Sequence, residues 1–407
     1  MKNTMKRLLV VLLLLSSSIA QAETNISDEA IKAVQIELAR ATEAGEIEGG
    51  MILVHVHGEQ VLLDIKGIHD SEDGLEFKEN SLLRIYSMTK PITSVAAMTL
   101  WEQGEFNLDD AVSEYIPAFS DAKVGVVLKG KMTRVDPKRP LTIRDLLSHT
   151  SGYSYSPSPG TPFGKEYHSR GVFYTHKGMY PPKMSIREAA DQLAQIPLQH
   201  HPGERWTYGL SVDILGALIE IWSGESLEKY MKRAVFKPLA MQDTFFDIPK
   251  GKLDRFTSCH TWEGDRQVVI DKWNVSEYRS GFEFHGGGSG LVSTIGDYGQ
   301  FSKMLANWGE LDGVRVLKRT TLAEMFSNQV LPGGGRSFGL GFAVEKAELK
   351  GADKPLGQYG WGGYANTEFR VIPDAGVSMI FMRQTVPSTH RMSKKLFEIL
   401  RNGITIE

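Results

Sequence analysis

The sequence predicts an α/β protein of the α+β type: an antiparallel sheet built from both chain ends, flanked by helices, with a mainly helical region inserted between. Three observations predict it. Short β-like runs separated by turn residues stand near each end of the chain, and hairpins of that kind favour antiparallel pairing. A helical apolar repeat lies outside each group of runs. The middle of the chain instead carries capping-box patterns and helical apolar faces. The sheet part is expected over about residues 23–85 and 285–407, and the helical part over about 86–284.

The 407-residue chain opens on a targeting segment. Residues 1–7 carry three positive side chains, residues 8–15 are apolar, and Ala20-Gln21-Ala22 follows. That order reads as a secretory signal peptide cut after Ala22. The apolar run is too short to span a bilayer comfortably. The remaining domain, residues 23–407, is expected to be periplasmic or secreted, with no membrane span after cleavage.

Ser27 can cap a first helix over residues 27–44, in which Ile31, Val34, Leu38 and Ala41 share a face. Residues 51–56 and 60–65 read as strands around the turn His57-Gly58-Glu59. Residues 367–372 and 377–382 repeat the pattern around Pro373-Asp374-Ala375-Gly376, and a last helix is expected over about 388–401. In the middle, Thr142-Ile143-Arg144-Asp145 and Ser185-Ile186-Arg187-Glu188 are capping boxes. Leu210, Ile214, Leu218 and Ile221 form an apolar helical face that stops at Gly224. Residues 153–182, rich in Gly, Pro, Ser and Tyr, read as a long functional loop.

Composition narrows the chemistry. A net charge of −3 gives no pull towards nucleic acid. Cys259 is the one cysteine, so no intrachain disulfide forms, and Ser258-Cys259-His260 offers no helix start to activate a thiol. No metal motif stands out. His55 and His57 would share a strand face, and His200 and His201 precede Pro202, but neither pair has a further ligand nearby in sequence. No cofactor motif is present, and the expected partner is a small-molecule ester or amide.

Ser87-Met88-Thr89-Lys90 is the first candidate site. A helix puts residues three apart on one face, so Lys90 can hold its amine against the Ser87 hydroxyl. A free amine can take the hydroxyl proton, and burial at a helix start favours that neutral form. The same helix start offers backbone N–H groups to a developing oxyanion. The spacing alone is unspecific, because it recurs at Ser120–Lys123 and Ser226–Lys229. Ser226 reads as a helix cap and Ser120 as part of a polar loop. The first copy instead leads into Ser94-Val95-Ala96-Ala97-Met98, small residues that let a helix pass deep into a core. Tyr208, in Trp206-Thr207-Tyr208, could shuttle protons near such a lysine or could be a plain core aromatic. His285-Gly286-Gly287-Gly288 resembles the oxyanion loop of α/β-hydrolase lipases. The G-x-S-x-G elbow those enzymes need is missing, so the glycines read as a tight turn or a close backbone approach.

Several stretches together resemble the serine β-lactamase and penicillin-recognising family, in particular its class C branch and the family VIII carboxylesterases. They are Arg84-Ile85-Tyr86-Ser87-Met88-Thr89-Lys90-Pro91, Leu146-Leu147-Ser148-His149-Thr150-Ser151-Gly152, Pro202-Gly203-Glu204 through Tyr208, Asp213-Ile214-Leu215-Gly216, Gly288-Ser289-Gly290-Leu291-Val292-Ser293-Thr294, Gly339-Leu340-Gly341 and Trp361-Gly362-Gly363. They stand in family order along nearly all of the chain after the signal segment. The resemblance implies Ser87 as the acylated nucleophile, Lys90 as its activating amine and Tyr208 as general base. It implies an oxyanion hole from the backbone N–H groups of Ser87 and Tyr364, and substrate-binding residues at Trp361, Gly362 and Gly363. It also implies the β-lactamase-like fold. Two departures bear on substrate. The class C tyrosine motif ends in Asn, where this chain has Leu210, and the Lys-Thr-Gly motif is replaced by Trp361-Gly362-Gly363. Both remove polar groups that would face a β-lactam and its carboxylate. Ester hydrolysis is therefore favoured over β-lactamase, D-amino-acid peptidase or D-Ala-D-Ala carboxypeptidase activity on the same machinery.

Overall fold

The computed structural model describes residues 24–155, 157–174 and 180–407. The signal peptide expected at residues 1–22 lies outside the described residues. No helix among them is long and apolar enough to cross a membrane.

A seven-stranded antiparallel sheet runs in the spatial order Ala343–Ala347, Leu356–Gly362, Glu368–Ile372, Val377–Met382, Gly49–Val56, Glu59–Asp70, Leu75–Glu76. The two chain ends meet where Val377–Met382 pairs with Gly49–Val56, as the sequence predicts. Successive side chains of a strand face opposite sides. Ile52, Val54 and Val56 pack with Val34, Leu38 and Ala41 of helix Asp28–Glu43 and with Leu396, Phe397 and Leu400 of helix Arg391–Gly403. Met51 and Leu53 point the other way, into the main core with Tyr298 and Phe301 of helix Ile295–Ala306. Helices cover both faces, so this strand reads as an unbroken apolar run rather than an alternation. His57 and Gly58 make the hairpin turn with φ of 49° and 85°, the left-handed pair that a two-residue loop needs. His57 has thus left the strand and shares no face with His55, which is buried with Nδ1 3.1 Å from Ser378 Oγ.

Both capping boxes form, opening helices Ile143–Leu147 and Ile186–Ala194. Helix Ser211–Ser223 ends at Gly224 with φ 67°. The middle of the chain also holds β structure that the sequence reading missed. Val124–Leu128 pairs with Lys131–Val135, and Cys259–Glu263 pairs with Arg266–Asp271. Thr385–Val386 then joins Cys259–Glu263 in parallel. The expected long loop over 153–182 contains helix Pro162–Ser169. Thr161 caps it, and Pro162 fills the first helical position, where a missing N–H costs nothing. The strand Leu356–Gly362 also escaped notice, because its three glycines are poor strand formers. Gly360 explains one of them: a Cβ there would sit 2.1 Å from Phe369 O.

Candidate active site

Ser87 lies in the short turn Tyr86–Met88, which runs straight into helix Thr89–Gln103. Every residue from Thr89 to Leu100 is buried, so this helix threads the core and desolvates its own first turn. Lys90 is 1% exposed. Its Nζ donates to Ser87 Oγ at 3.2 Å, to Tyr155 OH at 2.7 Å and to Gly288 O at 2.6 Å. An ammonium has three N–H bonds, so each has an acceptor. Tyr208 OH also donates to Ser87 Oγ, at 2.5 Å, and Trp361 Nε1 donates to Tyr208 OH at 3.3 Å. Ser87, Lys90, Tyr208 and Trp361 therefore form one hydrogen-bonded cluster.

The segments around the cluster hold these groups in place. Tyr208 is fixed by its neighbours: Thr207 N donates to His149 O at 2.7 Å, and the Trp206 ring stacks on Tyr208 at 5.8 Å and 11°. The His149 ring leans on Tyr208 at 5.1 Å. Burial holds the His149 imidazole well below its usual range, and the Lys90 charge adds to this, so His149 is neutral. The stretch from Leu146 to Gly152 thus supports the tyrosine from behind. Gly363 must be glycine, since a Cβ would fall 2.4 Å from Ile85 O and 2.2 Å from Thr367 Oγ1. Gly362 makes room for the His390 ring, 2.6 Å from where a Cβ would sit. Gly363 thus lets the chain after the strand close onto Ile85, two residues before Ser87. Tyr364 follows it, with its ring edge-on to Tyr86 at 5.8 Å.

Two groups in the cluster were missed by sequence reasoning. Tyr155 contacts Lys90 and lies 5.3 Å, ring to ring, from Tyr208. Desolvation pushes its hydroxyl well above the ordinary tyrosine range, so it stays protonated. The only signal was its place in the tyrosine-rich stretch after Gly152. The second is Asp213, buried at the start of helix Ser211–Ser223, whose Oδ1 accepts from Gly288 N at 3.0 Å. Burial pushes its carboxyl up to about 6, while the Lys90 charge pulls the other way. The glycines of residues 286–288 allow a close approach, as expected: a Cβ on Gly287 would lie 2.5 Å from Val212 O.

The remaining candidates are structural. Ser226 caps helix Leu227–Met231, and Lys123 pairs with Asp136 at 2.7 Å. Burial pushes the Cys259 thiol up to about 12, so it is no nucleophile. His200 is tied to Thr207 Oγ1 at 2.8 Å. Among the described residues, one grouping could approach a cation: Glu228, Asp247 and His285 lie with ligand atoms within 4.8 Å of one another, but Asp247 is exposed and His285 Nε2 already pairs with it at 3.1 Å.

Known proteins similar to this chain identify its family. Protein Rv1367c of Mycobacterium tuberculosis is 29% identical over 370 residues, covering 87% of this chain and 90% of that one. Esterase EstB of Burkholderia gladioli is 32% identical over 208 residues, 51% of this chain and 49% of its own. Among solved structures, EstCE1, a hydrolase with promiscuous acyltransferase activity, matches with a TM-score of 0.75 at 25% identity, over 92% of this chain and 98% of that one. A family model described as Beta-lactamase matches residues 36–401, a span that includes Ser87, Lys90, Tyr208 and Trp361. Fold, ordered motifs and a match along nearly the whole chain lead to one conclusion: the protein belongs to the β-lactamase family.

Proposed function

We propose that the protein is a serine hydrolase that cleaves carboxylic esters through an acyl-Ser87 intermediate, without a cofactor. The observation that carries this reading is the pair of hydrogen bonds converging on Ser87 Oγ, from Lys90 Nζ at 3.2 Å and Tyr208 OH at 2.5 Å. The name Esterase EstB supports an ester as the substrate class, and EstCE1, a hydrolase with promiscuous acyltransferase activity, supports an acyl-enzyme route.

The geometry suggests how the proton moves. As an amine, Lys90 keeps two N–H bonds and one lone pair. Gly288 O can only accept, so one N–H stays there, and Tyr155 OH can take the second. The lone pair then faces Ser87, whose O–H turns to donate. Ser87 Oγ attacks the ester carbonyl carbon, and its proton passes to Lys90. The backbone N–H groups of Ser87 and Tyr364 are the proposed donors to the oxyanion. When the tetrahedral intermediate collapses, the ester C–O bond breaks. Tyr208, whose hydroxyl donates to Ser87 Oγ, then acts as an acid rather than as the general base that the resemblance implies: it gives its proton to the departing alkoxide and is reprotonated from Lys90 through the shared hydrogen-bond cluster. Water then attacks acyl-Ser87 in the same way: its proton goes to the tyrosine–lysine pair, and the Ser87 oxygen leaves and recovers one. An alcohol in place of water would yield acyl transfer.

Tyr208→Phe tests the tyrosine role. The change removes one oxygen and keeps the ring that packs against Trp206 and His149. Turnover is expected to fall by about 10²- to 10⁴-fold with the melting curve unchanged. Unchanged initial rates would make Tyr208 a packing residue.

Trp361 bears on specificity. It offers an apolar face and one N–H where β-lactamases present a lysine cation. Losing an ionic hydrogen bond to a substrate carboxylate costs about 1.5–3 kcal/mol, roughly ten- to a hundredfold. Neutral short-chain esters are therefore expected to exceed penicillins and cephalosporins in kcat/KM by at least about tenfold. Trp361→Lys is expected to narrow that gap. The test is one panel of initial rates on short and long acyl esters, a chromogenic cephalosporin and a D-Ala-D-Ala peptide. A cephalosporin turned over as fast as the best ester would replace the esterase reading with a β-lactamase one.

A further inference from the structure

Lys90 is 1% exposed, and its three acceptors are a hydroxyl, a phenol and a carbonyl. None is a carboxylate. A buried cation without a counter-charge is costly. The carboxylate that answers it stands behind the glycine segment. Asp213 is 2% exposed. Its Oδ1 accepts from Gly288 N at 3.0 Å, while Gly288 O accepts from Lys90 Nζ at 2.6 Å. Thr93, one turn along from Lys90, donates its hydroxyl to Gly287 O at 2.6 Å. Gly288 is thus held on one side by helix Thr89–Gln103 and on the other by helix Ser211–Ser223.

The glycines are what admit the carboxylate. A Cβ on Gly288 would lie 2.7 Å from Asp213 Oδ2, and one on Gly286 would lie 3.1 Å from Oδ1. Asp213 Oδ2 itself is buried with no hydrogen-bond partner among the described residues. A buried oxygen left unpaired needs a compensating interaction, and among the described residues Lys90 is the charged side chain that acts on this carboxyl. Among the described residues, the hydroxyls of Tyr155 and Tyr174 also feel Asp213, and desolvation keeps both neutral. His285, at the start of the glycine segment, is turned to Asp247 and Phe246 instead.

We propose that Asp213 is a positioning residue for Lys90 in the ester chemistry above, on which this inference rests. Its negative charge balances the Lys90 ammonium from behind Gly288. Its hydrogen bond fixes the residue whose carbonyl aims the amine at Ser87. Asp213 touches no reacting atom. Its effect is read in how readily Lys90 gives up a proton and in how well the amine is aimed.

The experiment measures the second-order rate of Ser87 labelling by a fluorophosphonate against pH, in the full-length protein. Asp213→Asn keeps the shape and an acceptor oxygen but removes the charge. The plateau rate is expected to drop about tenfold or more. The acid limb is expected to move to lower pH by at least about half a unit, because an ammonium without its counter-charge loses its proton more readily. Thr93→Val removes an anchor of the same segment without changing charge, and should lower the plateau with the limb unmoved. Asp213→Glu keeps the charge and displaces the oxygens, and should do the same. A limb unmoved in Asp213→Asn would overturn the proposal. So would a limb that moves in Asp213→Glu, whether or not the Asn protein folds. Absence of labelling in the unaltered protein would instead overturn the esterase reading itself.

Discussion

Ser87→Ala is expected to lower turnover of p-nitrophenyl acetate by about 10³-fold or more, because Ser87 Oγ is the oxygen on which Lys90 and Tyr208 both converge. The fold should persist. The change removes one oxygen from a buried turn, and Lys90 keeps its bonds to Tyr155 OH and Gly288 O. Initial rates and a melting curve on the same preparation check this. Turnover near that of the unaltered protein would place the nucleophile elsewhere.

Lys90→Met should cost nearly as much, about 10²- to 10⁴-fold, because a thioether cannot take a proton and leaves Gly288 O without its donor. Lys229→Met is the matched comparison. Lys229 has the same spacing from Ser226, but it is exposed on a short helix that Ser226 caps. Its loss should change the rate by less than about twofold, as expected for a solvated surface lysine. Comparable losses from the two substitutions would show that the serine–lysine spacing has no catalytic meaning here.

The fold was legible where local chemistry and tertiary packing agree. Ser27, Thr142 and Ser185 open helices as their cap chemistry dictates. The strand Val377–Met382 has the bounds its apolar run suggests. What stayed hidden was set by contacts distant in sequence. The strand Leu356–Gly362 looks like a glycine-rich loop until Phe369 O is seen pressed against Gly360. Helix Pro162–Ser169 is a single capped element inside a stretch whose composition says loop.

The site divides in the same way. Ser87 and Lys90 share one helix start, but their spacing recurs at Ser120–Lys123 and Ser226–Lys229, and it is the small-residue helix after Lys90 that singles them out. Tyr208 needed the ordered motifs around it, because a tyrosine before a helix is otherwise unremarkable. Tyr155 has only its place in a tyrosine-rich stretch, and Asp213 only its place in Asp213-Ile214-Leu215-Gly216, which assigns it no role. Each reaches the cluster from its own segment: Tyr155 contacts Lys90 Nζ itself, and Asp213 acts through Gly288. The glycines of residues 286–288 were legible as a close approach, but what they approach is visible only in three dimensions. A Cβ at Gly287 would meet Val212 O, and one at Gly288 would meet the Asp213 carboxylate.

The central claim is that Ser87 is the residue acylated. The most direct test is to treat the protein with a fluorophosphonate and map the modified peptide by mass spectrometry. A single adduct on Ser87 is expected, blocked by prior exposure to a slowly deacylating ester. An adduct on Ser120, Ser226 or Ser289, with Ser87 unmodified, would contradict it.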